Sequence, residues 1–299
     1  MLEPVAGDEA VPGAAAPGVA SRWEAPGMGV NVEQTRAWDG PSGDFWVANA
    51  ARFDRGISRY QPLLVAAAAP GFADRVIDVG CGNGRLTLDM ARRAHSALGV
   101  DLSAGMLRLA RERAAAAGVA RARFLRADVQ VHPLPPADLV VSRNGVMFFD
   151  DPAAAFGNLA RALRPGGRLV LLAWQPHDRQ EWLPTFQRIL SGGRAVSLPD
   201  APMWSFGAPD RVAALLGGAG FVDVESRSVT EPMVVGTDVA DAVDYVTGMQ
   251  RELLAELDPA ERAEAVAALR EDAAAHLTDE GVLYGAACWI VRARRPETG

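Results

Sequence analysis

Short apolar runs alternate with stretches of helical periodicity through the middle of the chain. Uninterrupted apolar runs of this length are typical of strands that are buried on both faces of a sheet. The predicted strands are 75–79, 97–100, 122–127, 138–142 and 168–173, and the predicted helices between them are 86–94, 104–117 and 152–163. Strands that alternate with helices predict an α/β fold with a doubly wound, mostly parallel sheet.

The flanks of this region are less regular. Residues 1–27 are rich in Ala, Pro and Gly, which predicts a disordered tail. Residues 31–69 have the periodicity of two helices. After Trp174 the pattern indicates a helix at 209–217, a strand at 221–229, helices within 238–276 and a last strand near 282–293.

A glycine-rich turn follows the first predicted strand, in the sequence Asp78-Val79-Gly80-Cys81-Gly82-Asn83-Gly84. Glycines at this point let the backbone turn tightly and approach a ligand closely. In open α/β sheets, ligands bind beyond the carboxyl ends of the strands. A dinucleotide fingerprint would need glycine at position 85, where the chain has Arg85. The spacing therefore argues against a dinucleotide-dependent oxidoreductase.

Polar residues also end the next three predicted strands. Asp101 ends the second strand, and its two carboxylate oxygens suit a cis-diol. Asp128 ends the third, and Asn144 follows the fourth. We therefore expect a ligand site built from strand ends.

The sequence Asp78-x-Gly80-x-Gly82-x-Gly84 resembles the cofactor-binding motif of the class I S-adenosylmethionine-dependent methyltransferases. Residues 163–167 resemble the turn before the fifth strand of that family. Residues 45–60 and 219–221 resemble its ubiquinone/menaquinone-methyltransferase-like branch. The resemblance implies a Rossmann-like sheet of seven strands, the last antiparallel, with a helical lid, and S-adenosyl-L-methionine as cofactor.

The resemblance also implies roles for individual residues. Asp101 would accept both ribose hydroxyls, Asp128 the exocyclic amine of adenine, and Asn144 would bind the amino or carboxylate group. The predicted cofactor-binding residues are Asp78, Gly80, Cys81, Gly82, Gly84, Asp101, Leu102, Met106, Asp128, Val129 and Asn144. Arg52, Arg55 or Arg59 would reach the cofactor carboxylate, or else form solvated surface.

Methyl transfer asks little of protein side chains, because the sulfonium carries its own leaving group and positioning supplies most of the catalysis. His177, shortly after Trp174, is the predicted general base, with an exposed loop histidine as the alternative. Aromatic residues predicted to line the pocket, or else to fill the core, are Trp38, Trp46, Phe148, Trp174, Trp182 and Trp204. The resemblance implies no metal.

The expected function is methyl transfer to an O, N or C nucleophile of a small molecule, in secondary metabolism. Residues 28–299 would form the methyltransferase domain, with 28–70 and 175–280 as a substrate lid. One alternative is an enzyme that binds the same cofactor but uses it for cyclisation or rearrangement. Another is a non-catalytic nucleotide sensor.

Composition and charge argue against several other classes of protein. The net charge of −7 argues against a nucleic-acid binder, and all 30 basic residues are Arg, which removes lysine-dependent chemistry. Cys81 and Cys288 are the only cysteines and provide no disulfide framework. Aliphatic and aromatic runs such as 169–174 are too short to cross a bilayer. With no basic and apolar leader, we expect a cytoplasmic monomer or homodimer.

Overall fold

The computed structural model describes Gln34 and residues 38–194 and 202–297, so the predicted tail, 1–27, lies outside the described residues. The strands are β1 (Arg75–Val79), β2 (Ser96–Asp101), β3 (Ala122–Arg126), β4 (Ala137–Arg143), β5 (Leu163–Trp174), β6 (Val222–Gly236), β7 (Leu277–Thr278) and β8 (Gly281–Arg294). The helices are α1 (Pro41–Ala48), α2 (Ala50–Gly56), α3 (Tyr60–Ala68), α4 (Arg85–Arg93), α5 (Ala104–Ala116), α6 (Pro152–Ala162), α7 (Trp182–Leu190), α8 (Pro209–Gly218), α9 (Val239–Met249), α10 (Arg251–Ala255) and α11 (Pro259–Ala275).

One mixed sheet organises the molecule, with the strand order β3-β2-β1-β4-β5-β8-β6. Strands β1 to β5 are parallel, and β8 runs antiparallel to both β5 and β6. The predicted doubly wound sheet of seven strands with an antiparallel last strand is confirmed, and the two-residue β7 pairs with β8 outside this order. Since the chain leaves β1 towards β2 and returns at β4, the switch point of the sheet lies between β1 and β4.

Helices pack along the sheet as the alternating pattern predicts. Helix α4 contacts β1 and β2, α5 contacts β2 and β3, α3 contacts β4 and β5, and α8 contacts β6. Helices α5 and α6 have side-chain caps: the Ser103 side chain accepts from the Met106 amide at the start of α5, and the Asp151 side chain accepts from the Ala154 amide at the start of α6. The central strand β4 is fully buried at Leu139, Val140 and Val141, as expected for a strand with helices on both faces of the sheet. No helix in the described part of the chain is long and apolar enough to span a membrane.

The boundaries differ from the sequence prediction in three places. The described part of 31–69 contains three short helices rather than two, because the chain breaks at Asn49 and again after Gly56. The predicted turn at 164–167 lies inside β5 as a bulge, since Leu163 pairs with Ala137 before regular pairing resumes at Arg168. Strand β6 continues well past 229, because it pairs with β8 from Val222 to Gly236.

Candidate active site

The loops that follow β1 and β4 meet at the switch point of the sheet. Gly80 has φ +63°, and a Cβ on it would lie 2.7 Å from the Cα of Gly145. Only glycine permits this approach. The amides of Gly80 and Cys81 donate to the carbonyl of Val100 at 2.9 and 3.1 Å, which fixes the first loop against β2. A crevice therefore opens above the carboxyl ends of β1, β2 and β4.

The other two glycines of the turn serve different purposes. Gly82 has φ +52°, and a Cβ there would find no atom within 4 Å, so its backbone faces open space. A Cβ on Gly84 would come within 2.8 Å of the Phe124 ring. Gly82 lines the cavity and Gly84 does not. Gly84 therefore packs closely against β3, and its predicted role as a cofactor contact stays a prediction.

Asp101 is held rigidly against the glycine turn. Its Oδ2 accepts from the Gly82 amide at 2.7 Å, and its Oδ1 accepts from the Ser103 amide at 2.9 Å. Burial raises the pKa of Asp101 above its usual value, although these backbone donors oppose the shift. Each oxygen keeps further lone-pair capacity. The carboxylate is thus oriented to accept two more hydrogen bonds from a ligand.

Two polar side chains in the crevice have buried atoms that lack a partner among the described residues. The Asp78 Oδ2 accepts from the Thr87 hydroxyl at 2.6 Å, while its Oδ1 is buried and unpaired, and burial raises the pKa of Asp78 to about 7. Asn144 has φ +57°, and both of its amide atoms are buried without a partner. Unpaired buried polar atoms are costly. They fit a ligand that carries its own charged or polar groups.

Asp128 is fixed by a neighbour on its own loop. Its Oδ1 accepts from the backbone amide of Gln130 at 2.9 Å, and the Gln130 side-chain amide donates to both carboxylate oxygens at 3.2 and 3.1 Å. Asp128 and Val129 both line the crevice. Asp128 thus lies beside the end of β2, and its contact with adenine stays a prediction.

These elements enclose a cavity of about 390 Å³. Every predicted cofactor-binding residue except Gly84 lines it: Asp78, Gly80, Cys81, Gly82, Asp101, Leu102, Met106, Asp128, Val129 and Asn144. Five of the predicted aromatic residues line it as well, namely Trp38, Trp46, Phe148, Trp174 and Trp182. Trp204 is buried elsewhere, and Met203 lines the cavity instead.

The sequence interpretation missed Arg143, the last residue of β4. This guanidinium lines the cavity, donates to Asp54 Oδ1 at 2.8 Å and to Gln61 Oε1 at 2.6 Å, and has a side chain only 9% exposed. Its one signal in the sequence was an arginine directly before Asn144, at the end of a mostly apolar strand. Gln34 and Phe53 also line the cavity, and nothing in their local sequence indicated this.

Asp54 joins α2 to the glycine turn. Its Oδ2 accepts from Arg113 at 2.8 Å and from the Asn83 side-chain amide at 2.9 Å. Burial would raise the pKa of Asp54, but the guanidiniums of Arg143 and Arg113 outweigh it and lower that pKa. The N-terminal helices are therefore tied to the cavity floor by a buried charge network.

His177 does not belong to the cavity lining. It lies half-buried in a short turn of 3₁₀ helix, and its ring centroid is 6.4 Å from that of Trp204. Its role as general base stays a prediction.

The three arginines considered for the cofactor carboxylate do not line the cavity either. Arg52 and Arg55 form ion pairs with Asp241 at 2.7 and 2.9 Å, and Arg59 pairs with Glu280 at 2.6 Å. They join the N-terminal helices to α9 and the β7–β8 turn.

Comparison with known proteins identifies the family of this chain. A family model described as a methyltransferase domain matches residues 76–167. The chain is 35% identical over 180 residues to a demethylmenaquinone methyltransferase of Thermus thermophilus, covering 54% of this chain and 81% of that one. A protein of the same name from Deinococcus radiodurans is 33% identical over 185 residues, covering 56% of this chain and 75% of that one.

The YcgJ protein of Bacillus subtilis has the same fold, with a TM-score of 0.53 and 19% identity over 80% of this chain and 99% of that one. A doubly wound sheet with a glycine turn and strand-end acids defines a nucleotide-cofactor enzyme. The chain belongs to the class I S-adenosylmethionine-dependent methyltransferases, and its cofactor is S-adenosylmethionine. It acts on small molecules.

Proposed function

We propose that this enzyme transfers the methyl group of S-adenosylmethionine to an apolar, ring-containing acceptor from secondary metabolism. The observation that carries the proposal is the aromatic lining of the cavity. The rings of Trp38 and Phe148 meet edge to face at 5.1 Å, and those of Trp174 and Trp182 lie 5.5 Å apart. Such walls favour flat apolar molecules through burial and ring contacts.

The cofactor would lie along the ends of β1 to β4. Asp101 would accept the ribose hydroxyls, and Asp128 with Val129 would hold the adenine. The unpaired amide of Asn144 would bind at the methionine end, and the nearby Arg143 guanidinium would face the carboxylate. Each of these side chains is buried or fixed by hydrogen bonds, so the binding surface is preorganised.

The bound cofactor supplies a methyl group on an activated leaving group. The task of the protein is then to hold the acceptor in line with that methyl group and to exclude water. Trp46 and Phe53, whose rings meet edge to face at 5.7 Å, would help to orient the acceptor from the N-terminal side. His177 would serve as base only if acceptor binding brings it to the cavity.

We also propose that 28–70 and 175–280 form the substrate lid. The described parts of both segments supply lining residues, among them Trp38 and Phe53 from the first and Trp182 and Met203 from the second. The cofactor residues come from the sheet between them. Exchanging the second segment for that of a relative should change acceptor choice and leave cofactor affinity within severalfold.

The test is a product screen. Because two relatives are named demethylmenaquinone methyltransferases, the first acceptor is reduced 1,4-naphthoquinone, followed by phenols, catechols and hydrophilic amines. The proposal expects a methylated apolar product and one equivalent of S-adenosylhomocysteine by mass spectrometry. Methylation confined to hydrophilic amines would refute the acceptor class. An altered acceptor without added methyl mass would favour cyclisation or rearrangement.

A further inference from the structure

Asp39 links the segment that bears Trp38, which lines the cavity, to the elements of the sheet layer. It directly follows Trp38 and lies outside the cavity lining. Its Oδ1 accepts from the backbone amide of Ala104, the first residue of α5, at 2.9 Å. Its Oδ2 accepts from the guanidinium of Arg126, the last residue of β3, at 2.5 Å. The segment before α1 is thus attached to the ends of two core elements.

Arg126 also contacts the backbone next to Asp101, the predicted ribose-binding residue. Its Nε donates to the carbonyl of Leu102 at 2.9 Å. Leu102 lines the cavity and follows Asp101, whose carboxylate is fixed by Gly82 and Ser103. One guanidinium therefore touches both the backbone beside the cofactor site and the carboxylate beside Trp38.

Trp38 and Gln34 form the part of the cavity wall that this contact supports. The Trp38 indole donates to Gln34 Oε1 at 3.2 Å, and its ring packs against Phe148. Both residues line the cavity. A shift of Asp39 away from Arg126 would move the adjacent Trp38 and open this wall.

The ion pair between Asp39 and Arg126 is weak enough to break and re-form. The side chains of Arg126 and Asp39 are 37% and 26% exposed, so solvent weakens their attraction. By contrast, Asp54 and Arg143 at the cavity floor are about 10% exposed. The wall that bears Trp38 is therefore the more easily opened side of the cavity.

We propose that Asp39 is a positioning residue of the methyltransferase: through Arg126 and the start of α5 it holds Trp38 and Gln34 over the bound cofactor and acceptor. The inference rests on the proposed function for the location of cofactor and acceptor. Asp39 lies outside the cavity, and its pairing with Arg126 controls how long S-adenosylhomocysteine stays bound and how firmly the acceptor is held.

The first experiment measures S-adenosylhomocysteine dissociation by stopped-flow tryptophan fluorescence. Asp39→Asn keeps an acceptor for the Ala104 amide but loses the charge, and Arg126→Gln removes the ion pair from the other side. Each should speed dissociation about two- to fivefold, as expected for a partly exposed ion pair. The double variant should not exceed Arg126→Gln by more than about 1.5-fold, since Arg126→Gln already removes the ion pair as well as the bond to Leu102. Asp44→Asn, an exposed acid on α1, is the control.

Two further readouts separate positioning from general stability. Acrylamide quenching of the S-adenosylhomocysteine complex should increase in Asp39→Asn, but not when Trp38→Phe is also present. With reduced 1,4-naphthoquinone, KM should rise more than kcat falls, while the melting temperature stays within about 2 °C.

Wild-type dissociation rates in both single variants, or effects that multiply in the double variant, would overturn the proposal. An equal loss of melting temperature and of all activities would also overturn it. If the wild-type enzyme methylates none of the acceptors tested, the proposed function fails. The dissociation and quenching measurements still decide the role of Asp39, because they need no methyl transfer.

Discussion

Asp101→Asn is the sharpest single test of the cofactor site. The substitution keeps the shape of the side chain but removes its charge and one of its two acceptor oxygens. In the structure those oxygens accept from Gly82 at 2.7 Å and from Ser103 at 2.9 Å, so the new NH₂ group must face one of these amides or the ribose. Either orientation loses a hydrogen bond.

The magnitude follows from the hydrogen bonds at stake. A bond to a charged acceptor contributes about 1.5–3 kcal/mol, and a neutral one about 0.5–1.5 kcal/mol. Losing one charged bond and weakening the second removes roughly 2–4 kcal/mol, which corresponds to about 30- to 1,000-fold in affinity. Calorimetry with S-adenosylhomocysteine measures this directly.

The same variant should not destabilise the apo protein much. Burial raises the pKa of Asp101 above its unfolded value, so the free energy of unfolding falls as pH rises from the unfolded to the folded pKa. Asparagine does not ionise and therefore avoids this loss of stability. The backbone amide that loses its acceptor opposes this gain. Thermal melting at pH 7 followed by circular dichroism should therefore change by only a few degrees.

Asp279→Asn, in the exposed β7–β8 turn, provides the control and should bind as the wild type does. If folded Asp101→Asn binds S-adenosylhomocysteine within threefold of wild type, the ribose does not lie at Asp101 and the placement of the cofactor is wrong.

Three further predictions concern other residues. Asn144→Gly relieves the positive φ and removes two unpaired buried atoms, so melting should hold or rise while S-adenosylhomocysteine affinity falls about tenfold by calorimetry; unchanged affinity would exclude a ligand contact. His177→Ala should leave cofactor affinity intact, and turnover reduced about 10²–10⁴-fold with a changed pH profile would establish a base, whereas unchanged turnover would exclude one. Burial lowers the pKa of His276, but hydrogen bonds to Asp272 and Glu181 outweigh it and raise the pKa. The resulting stability is present below the unfolded pKa of about 6.5 and lost as pH rises through the folded value. Because the His276 ring also stacks on Tyr284 at 4.1 Å, chemical denaturation should show that His276→Gln loses more stability at pH 6 than at pH 9; a constant difference would contradict this pairing.

Local sequence was enough to predict the central sheet and ten of the residues that line the cavity. Apolar runs, a glycine turn and an acid at a strand end are each encoded within a few residues. Parallel neighbours then bring Asp78, Asp101 and Asn144 to one edge without further information. Gly84 differs from the other motif glycines because it lies outside the cavity lining. Its spacing in the motif does not reveal Phe124, which occupies the space beside it.

Tertiary structure decided the features that depend on partners distant in the chain. Arg143 reaches the cavity because Asp54, 89 positions away, fixes its guanidinium, and Arg52 is drawn from solvent by Asp241. The extent of β6 is determined by its pairing with β8. Asp39 likewise acquires a role only where β3 and α5 end beside it. Ion pairs and strand pairs form between residues that are close in space but distant in sequence. A local sequence pattern contains no information about those spatial distances.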